Sequence, residues 1–124
     1  MRALSRFVLP GIVFLLTVAT GFWVGYSGRP YSTLVMTVHK LLALGALIVA
    51  AVQVVRRLRA ARPRSLSIVL FVLAALCAVA LFASGALMSI GTLDYALALT
   101  LHRVAPAVLL LAMALGIYRL GKRP

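Results

Sequence analysis

Two histidines occupy matching positions in two long apolar segments of the chain, and they are the residues best suited to chemistry. A cation follows each directly, giving the pairs His39-Lys40 and His102-Arg103. Imidazole nitrogens bind metals and move protons. Ionisable side chains are costly inside a membrane span, so they mark a candidate functional site there. The apolar segments that carry the two histidines determine where the imidazoles lie.

The composition excludes a water-soluble fold. The 124 residues are 65% hydrophobic and 11% charged, with a mean hydropathy of +1.15. A soluble domain is roughly half apolar and about a quarter charged. Disorder is excluded as well, because it requires low hydrophobicity. The single cysteine, Cys77, excludes an intrachain disulfide and any multi-cysteine metal or redox site.

Four apolar runs of membrane-spanning length set the expected fold. About 20 apolar residues cross a hydrocarbon core of ~30 Å as a helix, the form that satisfies the backbone in lipid. We therefore predict an all-α integral membrane protein, an up-down four-helix bundle of two tandem hairpins forming one transmembrane domain over residues 1–124. Pro30 is expected at the first position of the second helix, and Thr92 or Asp94 at the cap of the fourth. The predicted helices cover about 7–26, 31–55, 66–90 and 95–118.

The basic residues predict the orientation. Thirteen Lys and Arg stand against one acid, and Arg29 alone lies at the ends that would face outward. The positive-inside rule then places both termini in the cytoplasm of a bacterial inner membrane. These charges are expected to meet anionic lipid and not nucleic acid, because no soluble module is present to bind it. The ten residues on the inner side are Arg2, Arg6, Arg56, Arg57, Arg59, Arg62, Arg64, Arg119, Lys122 and Arg123.

The chain also carries an internal repeat. At an offset of 63 residues, residues 37–40 (TVHK) match residues 100–103 (TLHR). With a one-residue gap, residues 19–21 (ATG) match residues 83–85 (ASG). Alanine- and leucine-rich helices align readily by chance, but the recurrence of Thr-x-His-cation at one depth is not explained in that way. A parallel repeat predicts a pseudo-twofold axis along the membrane normal.

The depth of the histidines favours haem over other metal cofactors. At a rise of 1.5 Å per residue, both lie roughly 10–12 Å below the outer end of their helices. Diagonal helices of a bundle are roughly 11–14 Å apart, a gap that two imidazoles facing one iron can span. A zinc site would need further Cys, Asp or Glu ligands at that level, and the sequence has none there. We therefore predict one haem b with His39 and His102 as iron ligands.

Four neighbouring residues complete the candidate cofactor site, and each has two open interpretations. Gly21 and Gly85 leave room for a flat cofactor, or they let membrane helices pack closely. Lys40 and Arg103 lie in spans without acids, so they are expected to pair with the two haem propionates or to extend toward lipid headgroups.

The His39-Lys40 helix, which ends in residues 56–57 (RR), resembles the His-Lys helices of bacterial cytochrome b561-class proteins. The resemblance implies a four-helix b-type cytochrome that exchanges electrons with a quinone or a periplasmic redox protein. Members commonly have glycine four residues after such a histidine, where this chain has Ala43 and Pro106. They often bind more than one haem. Two histidines in total allow one bis-histidine haem here, which favours electron exchange at the outer face.

Two other functions remain open from the sequence. One is a small transporter or channel with an anion pathway lined by Lys40 and Arg103, although the spans lack the carboxylate that couples protons in four-helix exporters. The other is a non-catalytic membrane subunit whose basic inner face binds a cytoplasmic protein. For the histidine pair itself, the alternative to haem ligation is a pair of histidines that hydrogen-bond across a helix interface. A homo-oligomer through Gly21-x-x-x-Gly25 is also possible.

Overall fold

The computed structural model describes residues 2–60, 62–91 and 94–121, with side chains described from Val8 onward. The described residues form an all-α structure of four helices, each long and apolar enough to cross a membrane. This confirms the predicted all-α class and suggests a multi-pass membrane protein. The helices are α1 (Arg2–Ser27), α2 (Thr33–Ala60), α3 (Ser65–Ile90) and α4 (Tyr95–Gly121).

The helix ends differ from the predicted ones where polar residues continue a helix. α2 runs to Ala60, five residues past the predicted end at Val55. Arginine is a good helix former, and Arg57 and Arg59 in the last turn interact favourably with the helix dipole. Hydropathy therefore locates the apolar part of this helix and not its end. The expected place of Pro30 is wrong, because α2 begins three residues later at Thr33.

A capping residue stands on each side of the connection between α3 and α4. Gly91 adopts φ 74°, a left-handed conformation that suits glycine, and its N–H donates to the carbonyl of Leu87 at 3.0 Å. Before α4, the N–H of Ala96 donates to Asp94 Oδ1 at 3.0 Å. The predicted cap by Asp94 is therefore confirmed. Thr92, the other candidate, lies outside the described residues, as do Lys122 and Arg123 of the inner basic set.

The chain divides into two compact units, Met1–Arg56 and Arg57–Pro124. We call α1 and α2 the first pair, and α3 and α4 the second pair. The prediction of one transmembrane domain stays a prediction, as does the bundle of two hairpins.

The second pair packs along a line of small residues. Phe71 of α3 lies against Gly116 of α4, and Gly85 of α3 lies against His102 of α4, so the two helices run antiparallel. Small residues let two helices approach closely in lipid. The buried residues of this pair are the small Ser67, Ala74, Ala78 and Ser84 and the larger Phe71 on α3, with Ala98, Ala105, Ala112 and Gly116 on α4.

The first pair is more open. No residue of α2 is buried, nor is any residue from Val8 to Ser27 of α1. At the positions that match Ala98, Ala105 and Ala112 of α4, the repeat places the larger Val35, Leu42 and Val49 on α2. In both pairs many large apolar side chains are exposed. Exposed apolar surface of this extent is typical of a face that meets lipid or another protein.

Candidate histidine sites

His39 of α2 is hydrogen-bonded to α1 through one ring nitrogen. Its Nδ1 lies 3.1 Å from the carbonyl oxygen of Thr17 and 3.1 Å from Oγ1 of Thr20. A carbonyl oxygen can only accept, so the bond to Thr17 requires the proton on Nδ1. We call His39, Thr17, Thr20 and Gly21 the His39 site.

Gly21 is the close-contact position of the His39 site. A Cβ atom on this residue would lie 3.0 Å from Cε1 of His39 and 3.6 Å from its Nδ1. A carbon at 3.0 Å is well inside ordinary van der Waals contact, which begins near 3.5 Å. Any side chain at position 21 would therefore press on the ring that donates to Thr17. The absence of a side chain is what lets the imidazole lie against the backbone of α1.

His102 of α4 has the same arrangement against α3. Its Nδ1 donates to the carbonyl oxygen of Leu81 at 3.0 Å and lies 3.0 Å from Oγ of Ser84. A Cβ atom on Gly85 would lie 3.2 Å from Cε1 of His102. We call His102, Leu81, Ser84 and Gly85 the His102 site. Its members follow those of the His39 site by 63 residues on the histidine helix and by 64 on the partner helix.

The hydroxyl residues Thr20 and Ser84 were not among the predicted site residues. Their signal was present, because each directly precedes a repeated glycine in the matching triplets at residues 19–21 and 83–85. The carbonyl acceptors left no signal of their own. Any residue type supplies a carbonyl, and Thr17 and Leu81 differ in side chain while occupying the same place.

Lys40 and Arg103 are exposed. Neighbouring residues of a helix point about 100° apart, so each cation leaves its helix on a different side from the preceding histidine. Asp94 is the one acid of the sequence, and Arg103, which lies on the same helix pair, makes no salt bridge with it among the described residues. The pairing of Lys40 and Arg103 with a dianionic cofactor therefore stays a prediction, and so does their extension toward headgroups.

The described residues do not supply a metal site made of protein ligands alone. Among residues 2–60, 62–91 and 94–121, no three His, Cys, Asp or Glu side chains come together as a metal-binding group. Cys77 is a half-buried free thiol on α3. Haem needs two axial ligands from the protein, because the porphyrin supplies the other four. An imidazole with its proton on Nδ1 presents the lone pair of Nε2, the ligating form in many histidine–metal sites.

Comparison with known proteins adds no relative. No protein-family model matches the chain, and no curated protein or solved structure matches it at a significant level. The resemblance to the cytochrome b561 class rests on the histidine helices of the sequence itself and stays a prediction.

Proposed function

We propose that this chain is a membrane b-type cytochrome of the cytochrome b561 class, with one haem b held by His39 and His102. The observation that carries the proposal is the matching hydrogen bond at Nδ1 in both pairs, to the carbonyl of Thr17 and to that of Leu81. Metal-ligating histidines almost always donate their second ring N–H to a carbonyl, a carboxylate or water. Both repeat-related histidines therefore make the hydrogen bond that is typical of a metal-ligating histidine.

The chain's own residues would bind and orient the cofactor. Haem, when bound, supplies one-electron redox chemistry at its iron. Gly21 and Gly85 admit the imidazole rings to the faces of α1 and α3. We propose that Lys40 and Arg103 pair with the two propionates, since the spans offer no protein carboxylate. We further propose electron exchange with a quinone or a periplasmic redox protein, as the resemblance to the cytochrome b561 class implies.

The proposed setting is a bacterial inner membrane crossed by two tandem hairpins, with both termini in the cytoplasm. The supporting feature is the basic end of α2 together with the connection to α3, where Arg59, Arg62 and Arg64 are exposed. Basic residues accumulate in cytoplasmic loops, whereas the connection between α1 and α2 carries only Arg29. A Cys77→Ser background with Ser27→Cys or Arg62→Cys tests this in intact spheroplasts. An impermeant maleimide should label position 27 and not 62, and the reverse pattern would contradict the orientation.

Visible spectroscopy tests the haem directly. Protein purified from haem-replete cells should show a Soret band and sharp α and β bands on reduction. His39→Ala and His102→Ala should each lose the spectrum, and free imidazole should restore part of it by refilling the ligand position. Thr37→Ala and Thr100→Ala are matched controls, because these hydroxyls donate only to carbonyls of their own helix at 2.8 Å.

A colourless wild-type protein from haem-replete cells would contradict the proposal. Reconstitution in liposomes then decides what replaces it. Anion flux that Arg103→Ala abolishes would favour the transport function, and its absence would favour a non-catalytic subunit.

A further inference from the structure

We propose that Thr20 and Ser84 are positioning residues that act through Nδ1 of His39 and His102. Each holds its imidazole in the Nδ1–H tautomer and strengthens Nε2 as an electron donor. The effect on the haem iron rests on the proposed function. The tautomer concerns the chain alone and can be measured without haem.

The hydroxyl groups of Thr20 and Ser84 donate their protons within their own helices. Thr20 Oγ1 lies 2.9 Å from the carbonyl oxygen of Leu16 and 3.0 Å from that of Thr17, so it donates within α1. Ser84 Oγ likewise donates to the carbonyl of Leu81 at 3.1 Å. A hydroxyl has one proton, and once this is donated only lone pairs face the histidine. The Nδ1 atoms, at 3.1 Å from Thr20 and 3.0 Å from Ser84, must then be donors.

The Nε2–H tautomer of each histidine would be less stable at its site than the Nδ1–H tautomer. With the proton on Nε2, the Nδ1 lone pair of His39 would face the carbonyl oxygen of Thr17, so that hydrogen bond would be replaced by repulsion in a low-dielectric setting. Thr20 could donate to Nδ1 only by giving up the hydrogen bond that it donates within α1. The same holds for His102 between Leu81 and Ser84. The hydroxyl therefore adds to the preference that the carbonyl gives, because its own proton is used within its helix.

The hydroxyls of Thr20 and Ser84 differ from other hydroxyls of the four helices. Thr37, Thr100 and Ser89 each donate to the carbonyl four residues earlier. That is the ordinary arrangement for Ser and Thr inside a helix. Thr20 donates to the carbonyl four residues earlier and Ser84 to the carbonyl three residues earlier, and each also contacts a histidine of the neighbouring helix. Their second contact is what assigns them to the histidine sites.

The consequence for a bound metal is a change in ligand strength. Donation from Nδ1–H to oxygen moves electron density into the ring and raises the basicity of Nε2. A more basic axial ligand stabilises ferric over ferrous iron. Loss of either hydroxyl should therefore raise the midpoint potential, and loss of both should raise it further.

Nitrogen NMR of the full-length, haem-free chain tests the tautomer. The chain has two histidines, so ¹⁵N-histidine labelling gives two ring systems, assigned with His39→Ala. We expect both rings in the Nδ1–H form. Thr20→Val and Ser84→Ala should each shift the affected ring toward a mixture of tautomers, and Thr20→Ser should restore the pure form. Wild-type rings in the Nε2–H form would overturn the proposal.

Redox titration of the haem-loaded protein tests the ligand effect. Thr20→Val and Ser84→Ala should raise the midpoint potential, whereas Thr20→Ser and the control Thr37→Val should leave it unchanged. An unchanged or lowered potential in both variants would overturn this part of the proposal. If both rings are in the Nδ1–H form but the chain binds no haem, the tautomer proposal is supported and the proposed function is contradicted. If the rings are in the Nε2–H form in a chain that binds haem, the proposed function is supported and the tautomer proposal is contradicted.

Discussion

The two helix pairs hold their histidines alike but pack to different degrees. In each pair, Nδ1 donates to a carbonyl of the neighbouring helix beside a hydroxyl and a glycine. The second pair buries a line of alanines from Ala74 to Ala112, whereas α2 of the first pair buries no residue. The geometry of the histidine site is therefore independent of how closely the rest of the pair is packed.

Side-chain size explains the difference. α4 has alanine at positions 98, 105 and 112, where α2 has Val35, Leu42 and Val49. Small residues permit close helix approach in lipid, and larger ones hold the backbones apart. The glycines at 21 and 85 are the exception, because both pairs need an open position beside the ring. Function would thus constrain two positions on the partner helices, and packing is free to vary elsewhere.

The largest expected effect comes from filling those two positions. Gly21→Val and Gly85→Val place carbon atoms where the ring lies, so the imidazole must leave both of its acceptors. We expect haem content per protein to fall by about a hundredfold in either variant. Gly45→Val is the matched control, because no atom lies within 4 Å of a Cβ at that helical position. Retained haem in both variants would show that the close contact does not determine binding.

The second largest effect is expected from a cavity in the packing of the second pair, which should lower stability and leave the histidine site intact. Phe71 is 9% exposed and lies against Gly116, far along the helices from His102. Phe71→Ala leaves a cavity, and we expect the free energy of unfolding to fall by about 3 kcal/mol. Unfolding in dodecyl sulfate measures this, and the reduced haem spectrum should be unchanged. A lost spectrum at full stability would mean that the packing and the site are not independent.

Exchanging residue size between the pairs sharpens the comparison further. Ala112 is 3% exposed, so Ala112→Val overpacks the second pair and should cost about 2 kcal/mol of unfolding free energy. Val49→Ala at the matching place of the first pair removes two methyl groups from a half-buried site. We expect a cost below about 1 kcal/mol there. Equal costs in the same unfolding assay would argue that side-chain size at these positions does not set the packing.

The smallest effect is expected at the start of α4. Asp94→Ala removes the acceptor for the N–H of Ala96 and should lower the unfolding free energy by about 1 kcal/mol. Asp94→Asn keeps an amide oxygen at the same place and serves as the control, with a loss of a few tenths of a kcal/mol. Neither variant should change the haem spectrum. A larger loss in Asn than in Ala would contradict the capping role.

The sequence predicted the four helices and singled out the two histidines, but it did not predict the atoms to which the histidines are hydrogen-bonded. Apolar runs of spanning length located all four helices, because length and hydropathy directly reflect a membrane span. The repeat singled out His39, His102, Gly21 and Gly85, and the structure brings each glycine against its histidine. It had suggested room for a flat cofactor at those glycines, whereas the observed contact there is the imidazole ring itself.

What the sequence could not predict depends on backbone atoms and helix rotation. The acceptor carbonyl of Leu81 is invisible to side-chain patterns, since every residue type carries one. The hydroxyl of Ser84 faces His102 only because of the rotation of α3 about its axis, which short spacings do not determine. Helix ends such as that of α2 at Ala60 are set by arginines that hydropathy counts as breaks.

Each histidine finds its partners close behind it along the chain. The hydrogen bonds of His39 reach back 19 and 22 residues, and those of His102 reach back 18 and 21. Proteins form N-terminal structure first during synthesis, and contacts of short sequence separation form fast. The His39 site is therefore complete before α3 has been synthesised, and the His102 site is complete once α4 follows. Both imidazoles are therefore oriented by the time synthesis ends, and the proposed binding of haem requires no further folding of its ligands.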